Sequence, residues 1–103
     1  MAEVQRSPQA EADLEAILEE LDRKNPAVAE RYTTLFEERI QLLAKFPEMG
    51  RARPEIARHV RSVLADPYVL FYRVQGDMVQ VLRILHGKMD LSKIMRNKSD
   101  KSK

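Results

Sequence analysis

Five cationic side chains in the second half of the chain, Arg61, Arg73, Arg83, His86 and Lys88, offer the most chemistry. Arg73 and Arg83 interrupt the two most apolar segments, "YVLFYRV" and "MVQVLRIL". An arginine there must reach water, a carboxylate or a partner, because an unpaired buried charge is costly. A snorkelling side chain or an internal salt bridge meets that need without any function. His86 closes the second segment and is one of two histidines. An unperturbed imidazole titrates at about pH 6.5, which suits the residue type to general acid or base work. It is equally suited to end a strand, hydrogen-bonded to backbone, with Gly87 permitting a bend or bulge after it.

Familiar catalytic and cofactor motifs are missing around these residues. The three glycines are too scattered for a phosphate-binding loop. His59 and His86 lie on different segments without a carboxylate at co-ligand spacing, so no metal site is expected. No Ser–His–Asp set has local support. No cofactor is expected.

The elements that must position these cations follow from the sequence pattern. "AEVQR" (2–6) is compatible with a short strand. Ser7 is a helix N-cap with Pro8 at the first helical position. Ala10, Leu14, Ile17, Leu18 and Leu21 then form one apolar stripe, with Glu15, Glu19 and Asp22 off it. Asn25 is placed to end this helix and cap a second, which begins at Pro26. The second stripe runs Val28, Tyr32, Leu35, Phe36, Ile40, Leu43 and Phe46, and Pro47 stops it. A connection this short predicts a helical hairpin. "GRARPE" (50–55), with Arg51 and Arg53, is expected as an exposed basic loop. Strands are predicted over 59–64, 68–74 and 78–85, with a turn at Asp66-Pro67 and a two-residue loop at Gly76-Asp77. Regular alternation through that hairpin groups Leu70, Tyr72, Val81 and Arg83 on one face. It groups Phe71, Arg73, Leu82, Ile84 and His86 on the other. Asp90 is placed to cap a final helical turn, "LSKIMR". The fold class is α+β, a helical hairpin packed on a small antiparallel sheet, with a short C-terminal helix or tail.

At 103 residues the chain is expected to be a single domain. Residues 1–95 carry it, and 96–103 read as a basic, flexible tail. With no cysteine, disulfides and thiol catalysis are excluded, which fits a cytoplasmic protein. The start has no apolar signal-peptide core, and no run is long enough to span a bilayer. The net charge of +2 is unevenly spread. Residues 1–50 carry 11 acidic and 6 basic groups, and residues 51–103 carry 5 and 12. The basic half is suited to an acidic partner, although helices with Glu and strands with Arg on their wet faces give the same asymmetry.

Five stretches occur in order: "SPQAEADLEAI", "NPAVAERY", "FPEMGRARPEI", "VRSVLADPYVLFYRV" and "VLRILHGKMDL". As an ordered set over roughly residues 1–95 they resemble the RelE/ParE toxin superfamily, and more its ParE (plasmid-stabilisation) branch. The resemblance implies the toxin of a type II toxin–antitoxin pair, with the N-terminal strand joining the sheet and an antitoxin wrapped around the toxin. It implies inhibition of DNA gyrase in the ParE branch, or ribosome-dependent mRNA cleavage in the RelE branch. A non-toxic antitoxin-binding module is the third expectation. Cleavage requires an acid or base with cations at the scissile phosphate, a role open here to Arg61, Arg83, His86 and Lys88. No aromatic residue follows Tyr72, which disfavours the nuclease set. Under the ParE reading no residue is catalytic. Target or partner contact is then expected from Arg51, Arg53, Arg61, Tyr72, Arg73, Arg83, His86, Lys88 and Asp90. The chain departs from the ParE pattern twice: Met89 stands where an arginine is usual, and His59 where a glycine is common.

Overall fold

The structure, a computed structural model, describes residues 2–88. Asp90, Met89, the last helical turn and the basic tail lie outside the described residues. The element order is β1 (Glu3–Arg6), α1 (Pro8–Lys24), α2 (Pro26–Lys45), β2 (Arg51–Ala52), β3 (Val60–Ala65), β4 (Tyr68–Gln75) and β5 (Met78–His86).

Both helices begin where local chemistry dictates. The Ser7 hydroxyl accepts the Ala10 N–H, and Pro8 opens α1. Asn25 closes α1 by donating its backbone N–H to Leu21 O, and its Oδ1 accepts the Ala27 N–H at the start of α2. One residue thus serves both helices, leaving no slack between them. Ala10, Leu14, Ile17 and Leu18 of α1 meet Tyr32, Leu35, Phe36 and Ile40 of α2 over the sheet residues Leu70, Val81 and Ile84. A second cluster joins Leu43 to Tyr72 and Val79. Phe46 departs from the expected stripe. It is the C-cap of α2 and 59% exposed, because Pro47 ends the helix before another turn can face the core.

The sheet order is β1-β5-β4-β3-β2. Strands β2 to β5 pair antiparallel, as expected, and β1 joins the β5 edge in parallel, making the sheet mixed. The expected loop at 50–55 is partly strand, since Arg51 and Ala52 pair with Ser62 and Arg61. The apolar segments β4 and β5 are interior to the sheet. Their other face carries Val60, Phe71 and Leu85 with Ile56, Ala57, Val69 and Leu82, a cluster to which neither helix contributes.

The β4–β5 hairpin turns at Gly76-Asp77, with Gly76 at φ +58° as such a loop requires. The expected face assignment holds up to Val81 and then fails. Tyr72 pairs with Val81, but Phe71 pairs with Arg83, so Leu82 is an extra residue in β5. This bulge resets the alternation. Ile84 therefore faces the helices with Leu70 and Val81, and His86 pairs with Tyr68 on that same side.

Candidate functional site

The bulge frees backbone groups that regular pairing would use, and α1 takes them. Ser7 Oγ donates to Leu82 O at 2.8 Å, and Asp13 Oδ2 accepts the Ile84 N–H at 3.0 Å. Asp13 also binds Arg83 through both oxygens, at 2.8 Å to Nε and 3.1 Å to Nη2. The pair is half-buried, with Asp13 15% and Arg83 26% exposed. Hydrogen bonding to Asp13 holds the Arg83 pKa above its ordinary value against partial burial. Of the two uses open to an arginine in this segment, Arg83 serves the internal salt bridge, clamping α1 to β5.

Arg61 and Tyr72 form a second clamp, on the β3 side of β4. The Tyr72 hydroxyl donates to Pro47 O and accepts the Gly50 N–H, both at 2.8 Å. Arg61 Nη1 donates to Gly50 O at 2.8 Å and Glu48 O at 3.2 Å. A Cβ on Gly50 would lie 2.5 Å from the Tyr72 oxygen and 2.7 Å from Ser62 O, so no other residue fits without displacement. Tyr72 is fully buried, which corrects its expected place on a contact surface. It stands opposite Arg61 on a core position, and burial pushes its pKa up. The clamped loop turns Phe46 and Met49 outward, and Met49 is 43% exposed. With Pro47 and Val74 they line an open cavity of about 580 Å³.

His86 ends β5 as a strand-ending histidine. Its Nδ1 accepts the Lys88 N–H at 3.1 Å, and its ring meets Tyr68 edge-on at 5.6 Å. Together with Asp13, Ile17, Leu21, Lys24 and Tyr68 it lines a cavity of about 470 Å³ between α1 and β5. Tyr68 meets Tyr32 edge-on as well, at 5.5 Å, and burial raises the Tyr68 pKa. Lys88 is exposed.

The remaining cations lie on the helix-free side or at its edge. Arg53 Nε donates to Glu55 at 2.6 Å and Nη1 to Ser62 Oγ at 3.2 Å, with the guanidinium 5.5 Å from the centre of the Phe71 ring. Glu55 is held below its ordinary pKa by that hydrogen bond. Arg51 is exposed on the edge strand β2. Arg73 bonds Gln80 across the hairpin at 3.2 Å.

The structure therefore does not bring Arg61, Arg83, His86 and Lys88 together. Arg61 is level with Tyr72 and Val81, two strands from β5, while His86 is level with Tyr68. From Val81 to His86 is about 15 Å along a strand. Three of the four are also engaged in internal hydrogen bonds. Among the described residues no group of three or more metal-ligating side chains occurs.

Two sites escaped the sequence reading. No local signal marks Asp13 as the partner of Arg83, 70 residues on, and the pairing of Gly50 with Tyr72 spans 22 residues without any motif.

Residues 4–91 match the sequence model of the family described as "ParE toxin of type II toxin-antitoxin system, parDE". The chain belongs to the ParE toxin family. Toxin ParE1 of Mycobacterium tuberculosis is 38% identical over 89 residues, covering 84% of this chain and 91% of that protein. Toxin RelE2 of Caulobacter vibrioides is 34% identical over 87 residues, covering 84% and 97%. A solved structure described as a chromosomal ParDE system from P. aeruginosa superposes with a TM-score of 0.71 at 28% identity, covering 84% of this chain and 96% of that one. One family departure acquires a physical meaning here. His59, where ParE sequences commonly carry glycine, sits at φ 67°, the left-handed region that glycine adopts freely. Histidine is among the residues that tolerate it at a cost.

Proposed function

We propose that this ParE-family toxin arrests bacterial growth in the cytoplasm by binding DNA gyrase, without a reaction of its own, and that a cognate antitoxin neutralises it. The family match supports the gyrase reading. The observation that carries it over mRNA cleavage is that Arg61 lies on β3, two strands from Arg83, His86 and Lys88, with Arg61 and Arg83 both held in internal hydrogen bonds. A scissile phosphate needs its acid, base and cations within hydrogen-bond reach of one point. The exposed surface available for binding includes Arg51, Lys88, Phe46 and Met49.

Expression without the antitoxin should stop growth and induce the DNA-damage response, and the purified chain should inhibit supercoiling by gyrase. Growth arrest with cleaved mRNA and continuing replication would refute it. The kinship with Toxin RelE2 gives the ribosome-dependent endoribonuclease a place as second reading. It requires His86→Ala to abolish toxicity, whereas the gyrase reading leaves at most a modest loss.

A further inference from the structure

Positive charge is concentrated where β2 and the loop after it border the helix-free side. Residues 51–61 carry Arg51, Arg53, Arg58, His59 and Arg61 against one acid, Glu55. The helices α1 and α2 carry nine acidic and five basic side chains. The register puts Arg51 level with Ser62 and Phe71, and Arg53 beside Val60, opposite which stands Arg73. Arg61 is engaged by Gly50 O and Glu48 O, and half-buried Arg53 holds Glu55 at 2.6 Å. Arg51 and Arg58 are exposed and form no ion pair among the described residues. The loop that carries Arg58 is held down. Ile56 and Ala57 pack on the Val60–Phe71–Leu85 cluster, and the Ile56 and Val60 amides donate to Arg53 O and Ala57 O at 3.0 and 3.4 Å. With those apolar residues turned inward, Arg58 and His59 face solvent. His59 does so at φ 67°, so strain is accepted where an imidazole donor joins the row.

The exposed large apolar residues, Phe46, Met49 and Leu64, lie outside residues 51–61, which therefore lack the apolar centre of a protein interface. Exposed, unpaired cations on a rigid loop, with the acids gathered on the helices, fit a polyanion instead. No helix lies on this side to enter a groove, so the contact is with backbone phosphates and not with base edges. We propose that Arg51, Arg58 and His59 grip phosphates of the duplex DNA that gyrase holds. Arg53 and Arg73 add their charge to the field, and the acidic helices face away from the DNA. This inference rests on the gyrase reading above. So few phosphate contacts are weak alone, but beside bound gyrase they act at high effective concentration.

Fluorescence anisotropy of a labelled duplex of random sequence, titrated with the full chain over about 50–200 mM salt, tests the contact. Arg51→Gln combined with Arg58→Gln should weaken binding by about tenfold at the low-salt end and lower the salt slope by about 2. Glu55→Gln, which removes the one acid of the segment, should tighten binding by about threefold. A gain cannot come from misfolding, so this variant decides the matter even if the double variant is unstable. The basic tail is the same in all three chains and cannot produce the difference. On immobilised gyrase the unaltered chain should bind more tightly when the duplex is present, and the double variant should lose that gain. Duplex binding that is absent, or equal within about twofold for all three chains, overturns the inference and leaves the gyrase reading intact if gyrase is still bound. No binding to gyrase, with or without duplex, overturns the gyrase reading and the place given to its DNA. Weaker binding of the double variant to the antitoxin or to single-stranded RNA, with no such loss on the duplex, overturns the inference in favour of that partner.

Discussion

Replacing Asp13 with alanine removes three hydrogen bonds at once, two from Arg83 and one from the Ile84 N–H. An exposed ion pair contributes about 0–1 kcal/mol, and breaking a buried one costs about 3–5 kcal/mol. At 15% and 26% exposure the pair lies between these limits. The Ile84 amide, left without an acceptor, adds to the loss, so Asp13→Ala should destabilise by about 2–3 kcal/mol. For a domain of this size that lowers the melting temperature by about 10–20 °C. Asp13→Asn, which keeps one acceptor, should cost about half as much. Circular dichroism during thermal and urea unfolding measures both. A cycle with Arg83→Met isolates the ion pair, with a coupling of about 1–2 kcal/mol expected. A loss under about 0.5 kcal/mol for Asp13→Ala, or additivity of the two changes within about 0.3 kcal/mol, would refute the clamp. Loss of toxicity by Arg83→Met at unchanged stability would instead return Arg83 to the contact surface.

Gly50→Ala should destabilise by about 2 kcal/mol or more, since its Cβ meets buried backbone and a fixed ring. Adding Tyr72→Phe should restore only part of this, because the 2.7 Å contact with Ser62 O remains. A Gly50→Ala protein as stable as its parent would contradict the packing described. Tyr72 has its pKa raised in the folded state, so unfolded chains ionise first as the pH rises. Its contribution is complete below about pH 10 and is lost as pH climbs through the higher folded value. Tyr72→Phe should therefore be less stable at pH 7 and flatten the decline in stability above about pH 10, as followed by urea unfolding. An unchanged alkaline slope would assign that decline elsewhere, with Tyr68 next in line. His59→Gly relieves a left-handed φ at the cost of a looser unfolded chain, for a net gain of about 0.5 kcal/mol. A lower melting temperature for that variant would show that the His59 side chain has a stabilising contact of its own.

The hairpin of helices was legible because its signals are local. Ser7, Pro8, Asn25 and Pro26 act on their own backbone within three residues, and the two stripes repeat at helical spacing. The strands of the second half were legible as apolar runs, and the two-residue loop fixed their starting register. The bulge was not legible. Whether Leu82 pairs or stands out depends on Ser7 and Asp13, some 70 residues earlier, which supply the hydrogen bonds that make the irregularity affordable. For the same reason the sequence did not name the carboxylate that Arg83 meets, and His86 read as belonging to the other face. Tyr72 read as surface because an aromatic in a strand carries no sign of what its hydroxyl meets. Only the fold shows that the loop from Pro47 to Gly50 closes over it.

Leu82 also gives β5 a reserve of length. The ladder with β4 needs one residue fewer than the strand contains, so losing Leu82 would leave Ile84 opposite Leu70 and His86 opposite Tyr68. What such a deletion would forfeit is the Leu82 carbonyl that accepts the Ser7 hydroxyl, one of the bonds between α1 and β5. The strand thus separates two quantities that usually vary together. The register of the ladder makes no use of Leu82, while the grip of Ser7 on the sheet does.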